Sequence, residues 1–242
     1  MLEVESNGSF KYPDHFPPES FWIQPGTVND GLDRFTELVY ARSGEKEIDE
    51  CMKEYRGLLA KFMNFSQFGH HGTWVIPQQQ VRPPLTSEQR GLKPDYIVGG
   101  KGSDGYKWFV VELKGADQNI FTERNGNVVF SNAVNDGICQ LLNYVDYCSS
   151  AQGYMRDTLR LNDFREPEGC LIVGRESELL EDKRKQSLKA AWNRLSGGRL
   201  QIRTYDAFIR STESSWSADK VAGKSLQPTM KFPPVSGSLD IG

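Results

Sequence analysis

The sequence predicts an α/β domain, a central mixed β-sheet flanked by helices, and three observations carry that prediction. Amphipathic helical stretches come first, strand-like runs follow, and the second half alternates helix with strand. The chain of 242 residues is 38% hydrophobic and 25% charged, enough apolar content for one sizeable core. Its longest apolar runs, 109–111 and 171–173, span only a few residues, far short of the roughly 20 a membrane helix needs. The start, Met1-Leu2-Glu3-Val4-Glu5, has neither the basic nor the apolar region of a signal peptide. Twenty-nine basic residues against 32 acidic ones give a net charge of −3. A generally basic coat for nucleic acid is excluded; a local basic patch is not.

Residues 1–26 are rich in proline and aromatics (Tyr12-Pro13, Phe16-Pro17-Pro18, Phe21-Trp22, Pro25) and read as an extended arm. Residues 27–211 form the domain, and the Ser/Gly/Pro-rich stretch 212–242 reads as a flexible tail. Within the domain, Asn29 or Asp30 is expected to cap a helix bearing Leu32, Phe35, Leu38 and Val39. A second helix is expected over 45–63, with Ile48, Cys51, Met52, Tyr55, Leu58, Leu59 and Phe62 at helical spacing. Strands are expected over 73–81, 95–98 and 107–114, and a hairpin around Asn125-Gly126. A helix over 133–148, a buried strand over 170–173, a helix over 182–195 ended by Gly197-Gly198, and a strand over 200–204 complete the order.

Cys51, Cys139, Cys148 and Cys170 form no CxxC pair and sit in apolar surroundings, so all four are expected to be buried small hydrophobes in a reduced, cytoplasmic protein. His70 and His71 are adjacent, so in a regular element they cannot both face one metal, and they read as loop residues.

The most informative stretch is Lys93-Pro94-Asp95-Tyr96-Ile97-Val98, a glycine-rich connection over 99–105, then Trp108-Phe109-Val110-Val111-Glu112-Leu113-Lys114. Alternation along a strand puts Trp108, Val110, Glu112 and Lys114 on one face and Phe109, Val111 and Leu113 on the other. If the connection is a hairpin, Asp95 at the head of one strand and Glu112 at the foot of the next share one end of the sheet. Two carboxylates so placed repel unless a cation lies between them, and Mg²⁺, with oxygen ligands and retained waters, is the economical choice. An isolated D/E-x-K match is weak: Glu181-Asp182-Lys183 is another, with no strand before it. In the following helix Gln140 and Tyr144 share a face off the apolar stripe. The segment Gly100-Lys101-Gly102-Ser103 is not a phosphate-binding loop, because that motif needs glycine where Asp95 stands.

Pro94-Asp95, Glu112-Leu113-Lys114 and Gln140-Leu141-Leu142-Asn143-Tyr144 together resemble the PD-(D/E)xK nuclease core with its trailing QxxxY helix. The run Cys170-Leu171-Ile172-Val173-Gly174-Arg175, the basic helix after it and Arg203-Thr204-Tyr205-Asp206 resemble the Shedu branch, nucleases of bacterial anti-phage defence, over roughly residues 45–210. The resemblance implies a restriction-endonuclease-like core and a Mg²⁺-dependent DNA endonuclease, Mn²⁺ substituting, that assembles into homo-oligomers and acts on phage or other foreign DNA. It assigns Asp95, Glu112, Lys114 and Gln140 to catalysis, and Asp95, Glu112 and the Leu113 carbonyl to the metal. Lys114, protonated beside two carboxylates, would orient water and stabilise charge on the phosphate. Gly115-Ala116 departs from the family, which often carries proline after the lysine. The family's first-helix glutamate is not placed uniquely: Glu47, Glu50 and Glu54 compete, and Glu54 is favoured as a further metal ligand.

For DNA binding, Lys183, Arg184, Lys185 and Lys189 form a basic cluster suited to sequence-tolerant phosphate contacts. Two other readings remain open: an inactive nuclease-fold module for DNA binding or oligomerisation, and a DNA-repair or junction nuclease of the same superfamily. The aromatic arm is a candidate contact surface between subunits.

Overall fold

Large apolar side chains at every position from Trp108 to Val111 give one strand two buried faces, and the remainder of the chain is arranged to cover both. The computed structural model describes residues 3–4, 10–23, 31–64, 72–81, 91–180 and 182–213. A short antiparallel pair, β1 (Glu3–Val4) and β2 (Phe10–Lys11), precedes β3 (Trp22–Ile23). Helices α1 (Leu32–Tyr40), α2 (Glu45–Glu54) and α3 (Gly57–Asn64) follow. Then come β4 (Thr73–Pro77), β5 (Tyr96–Gly102), β6 (Gly105–Leu113) and the hairpin β7 (Phe121–Arg124) with β8 (Asn127–Phe130). The second half runs α4 (Asn132–Ser150), β9 (Glu168–Ile172), α5 (Ser177–Leu180), α6 (Lys183–Leu195) and β10 (Leu200–Arg203), then a helix over 205–213.

Six strands form the central sheet in the order β10-β9-β6-β5-β4-β3. The β3–β6 run is antiparallel, while β9 joins β6 and β10 joins β9 in parallel. The mixed α/β architecture expected from the sequence is therefore the observed one. On one face, Tyr96, Val98, Phe109, Val111, Leu113 and Ile172 pack with α1–α3 and with Tyr205 and Phe208. On the other, Ile97, Trp108, Val110, Leu171 and Ile202 meet Val134, Ile138 and Leu141 of α4. Burying such side chains contributes about 1.5–3 kcal/mol each.

Several expectations need correction. Gly31, at φ 100°, precedes α1 with no side-chain cap; Asn29 and Asp30 lie outside the described residues, as do His70 and His71. The single helix over 45–63 is two. Tyr55 leaves helical geometry (φ −116°, ψ 61°), and its ring packs on Gly31, where a Cβ would collide. Strand β4 stops at Pro77 because Gln78 turns to φ 46°, and Val81 keeps only an isolated bridge to Leu92. The glycines over 99–102 are strand residues rather than loop: the Trp108 ring lies where a Gly99 Cβ would be. Cys139 is exposed, unlike the other three cysteines.

Residues 10–23 of the arm meet the domain through rings and a strand. Trp22 pairs with Trp74, Phe16 is buried, and Tyr12 Oη accepts from Trp74 Nε1 at 2.6 Å.

Candidate active site

The register of β5 against β6, with Tyr96 opposite Val111, brings Asp95 and Glu112 to the same end of the sheet. Continued by two residues, it would set Pro94 opposite Leu113, and a proline has no N–H to offer the Leu113 carbonyl. The Leu113 N–H donates to a side chain, Asp95 Oδ2, at 2.8 Å. Backbone pairing thus fixes the first carboxylate against the strand that carries the second.

Glu112 is only 3% exposed. Its Oε1 accepts from Lys114 Nζ at 2.9 Å, while Oε2 is buried with no hydrogen-bond partner. Lys114 is held at both ends of its backbone. Its N–H donates to the Ile172 carbonyl at 2.9 Å, and its carbonyl accepts from Tyr205 Oη at 2.8 Å. The lysine stem runs beside Gly137 of α4: a Cβ there would stand 2.8 Å from Leu171 Cδ1 and 3.5 Å from Lys114 Cε. Glycine at 137 leaves the room in which the lysine reaches Glu112.

A second carboxylate reaches Lys114 from the helical side. Glu45, the first residue of α2, places Oε2 3.6 Å from Nζ. One turn on, Asp49 accepts from Tyr96 Oη at 2.7 Å and also pairs with Lys53. Glu54, favoured from the sequence, lies instead in an exposed pair with Arg34 at 2.7 Å. Helical spacing alone cannot show which end of α2 meets the sheet; the N-terminal end does, so Glu45, with Asp49 one turn on, is nearer this site than Glu54.

Burial dominates the ionisation of the group. It raises Glu112 to about 7, and the Asp95 carboxylate adds to that rise against the pull of Lys114. Asp95 is raised by burial and then by Asp49, with the Leu113 N–H opposing. Burial works against the Lys114 ammonium, yet Glu112, Glu45 and Asp95 together outweigh it and raise its pKa. Lys114 is therefore held in its charged form here. Tyr144, on α4, is raised first by burial and then by the charges of Glu112 and Asp95, which places its hydroxyl within the field of the site. Gln140 is exposed on the same helix, one turn before it.

Among the described residues, no three His, Cys, Asp or Glu side chains converge as a ready metal cage. Mg²⁺ does not need one, because it commonly takes one or two carboxylates and keeps its waters. The unpartnered Glu112 Oε2, beside Asp95 and at the strand end that bears the Leu113 carbonyl, fits such a hard cation.

The basic helix is less uniform than its sequence. Arg184 is engaged by Glu123 at 2.9 Å and Asp182 at 3.0 Å. Lys183 is exposed and Lys185 half-exposed, whereas burial and the nearby Arg203 charge lower the pKa of Lys189. The four side chains do not form one basic face. Sequence reasoning missed Glu45, Tyr205 and Gly137. Glu45 and Asp49 at i, i+4 were a readable signal; the reach of Tyr205 to the Lys114 carbonyl was not.

A mixed sheet flanked by helices, with Pro-Asp heading one central strand and Glu-Leu-Lys ending its neighbour, defines an α/β domain of the restriction-endonuclease-like, PD-(D/E)xK type. Residues 42–209 match the family described as Shedu protein SduA, C-terminal. The chain belongs to that family, and this domain is of the Shedu nuclease type. Comparison with curated proteins gave no match.

Proposed function

We propose that the protein is a Mg²⁺-dependent endodeoxyribonuclease that hydrolyses phosphodiester bonds of phage or other foreign DNA. One observation carries this reading: a buried carboxylate with an unpartnered oxygen, Glu112 Oε2, stands between Asp95 and a lysine ammonium. Burying such an acceptor costs about 1–3 kcal/mol or more, a cost that a bound cation removes.

Asp95 and Glu112 would hold the ion, with the Leu113 carbonyl as a third donor. When bound, Mg²⁺ supplies Lewis-acid polarisation of a phosphoryl oxygen and eases ionisation of the attacking water. Lys114 keeps its proton and donates N–H groups to the phosphate oxygens, where charge builds in the transition state. Its anchored backbone limits how far that ammonium can wander, and orientation of this kind is worth several powers of ten. Gln140 donates to, or accepts from, a water or phosphate at the rim. Lys183 and Lys185 supply phosphate contacts that fall away with salt.

In this reading the protein works as a cytoplasmic homo-oligomer in anti-phage defence. Among the described residues, no helix is long and apolar enough to cross a membrane. The test incubates wild type and Lys114→Ala with plasmid and linear DNA in Mg²⁺, Mn²⁺ or chelator. Metal-dependent cleavage by wild type alone supports the proposal. Equal cleavage by both rejects it, and salt-sensitive retention without cleavage favours an inactive binding module.

A further inference from the structure

The sheet face turned away from Asp95 and Glu112 holds a pocket. It has a volume of about 210 Å³ and is lined by Phe62, Met63, Phe109, Cys170, Gln201 and Arg203. Parallel pairing sets Gln201 beside Cys170 and Arg203 beside Ile172, so two polar side chains of the edge strand share a face with the apolar core. The Arg203 guanidinium lies over the Phe62 ring, 5.5 Å from its centroid. Its Nε is buried with no hydrogen-bond partner.

Elsewhere the fold compensates a largely buried arginine. Arg175, 11% exposed, meets Asp206 at 2.8 Å. Arg203 has no carboxylate partner among the described residues. A cation with no carboxylate partner among the described residues, lining a cavity with apolar walls, forms an anion receptor of mixed character.

We propose that this pocket binds a small phosphate monoester carried on a flat apolar ring. The phosphate would meet Arg203, and the Gln201 amide, which donates one N–H to the Gly198 carbonyl at 3.1 Å, has a second N–H to offer. The ring would lie against Met63 and the edges of Phe62 and Phe109, since the cations Arg203 and Lys107 lie over those two rings. Methionine suits such a wall because its side chain adapts to irregular shapes. The cavity admits one aryl ring with its phosphate, and a nucleotide only with part of it left at the open mouth; a duplex is too large. The assignment goes beyond the nuclease reading and does not depend on it, because Asp95 and Glu112 lie on the other face.

Calorimetric titration of the full chain with phenyl phosphate and with adenosine monophosphate tests this, with phenol and inorganic phosphate as controls. At least one ester is expected to saturate the protein below about 1 mM, with both controls at least tenfold weaker. Preference for adenosine monophosphate would assign a nucleobase to the ring, and preference for phenyl phosphate a simple aryl group. Arg203→Met, which keeps the apolar stem, is expected to weaken binding at least tenfold with an unchanged circular dichroism spectrum. Should that variant misfold, Gln201→Leu is expected to weaken binding at least threefold. Glu112→Gln is expected to bind as wild type does, which separates this site from the nuclease reading. No saturation by either ester, equal binding of inorganic phosphate, or undiminished binding by folded Arg203→Met would overturn the proposal.

Discussion

Leu113 donates its backbone N–H to Asp95 Oδ2 at 2.8 Å, so the carboxylate that heads β5 is fixed by the peptide that ends β6. The separation of Asp95 from Glu112 is therefore set by strand register rather than by side-chain rotamers. The bond also predicts different costs for two substitutions. Asp95→Asn keeps an oxygen for Leu113 and loses the charge; cleavage should fall at least about 100-fold while the melting temperature moves little. Asp95→Ala strands a buried N–H and should cost about 1–3 kcal/mol as well. Parallel activity assays and denaturant titrations measure both.

Glu112 predicts a pH dependence of stability. Its pKa is raised from 4.5 to about 7, so across that window the folded protein holds a proton that the unfolded chain has released. The unfolded state then binds fewer protons, and stability falls as pH rises through the window. The full effect is of order 3 kcal/mol, and Asp95 shifts in the same direction. Glu112→Gln should flatten the fall and be more stable than wild type at pH 8 without metal, while losing cleavage. Thermal melts of both proteins from pH 4 to 9 decide this.

Metal binding should oppose the same strain. With Mg²⁺ at about 100 times its Kd, the native state gains about 2.7 kcal/mol. Wild type should melt higher in Mg²⁺ than in chelator, whereas Asp95→Asn and Glu112→Gln should show little or none of that rise.

Two glutamates of α2 should behave differently. Glu45 lies 3.6 Å from the Lys114 ammonium, whereas Glu54 pairs with Arg34 on the surface. Glu45→Gln should lower cleavage about tenfold or more, and Glu54→Gln should leave it within about twofold, because exposed pairs contribute little. Initial rates on one DNA substrate compare the two.

Tyr205→Phe keeps the ring in the core and removes the hydroxyl that donates to the Lys114 carbonyl at 2.8 Å. A loss of about 1–3 kcal/mol in stability is expected, with a further fall in kcat because the strand end carrying Lys114 is loosened. Denaturant unfolding and steady-state kinetics measure the two effects separately.

The fold was legible wherever one residue's period decided its burial. Alternation from Trp108 to Leu113 assigned two faces correctly, Asn125-Gly126 marked a hairpin with φ of 52° and 75°, and the α4 stripe of Val134, Ile138 and Leu141 faces the core. Pro94-Asp95 and Glu112-Leu113-Lys114 gave the strand ends at which the candidate residues meet. What escaped depends on contacts between distant segments. The break at Tyr55 follows its packing on Gly31, the strand glycines follow the Trp108 ring, and the choice of Glu45 follows which end of α2 abuts β6. None of these leaves a periodic trace.

The hairpin also bears on the order of assembly during synthesis. Asp95 and Glu112 are joined by a local turn, and closing so short a loop is rapid. The parallel bond from Lys114 to Ile172 and the clasp from Tyr205 must wait until far more chain has emerged. A nascent polypeptide would thus hold its acidic pair before the lysine is locked in place, and in the proposed reading competence to cut would arrive only with the helix over 205–213.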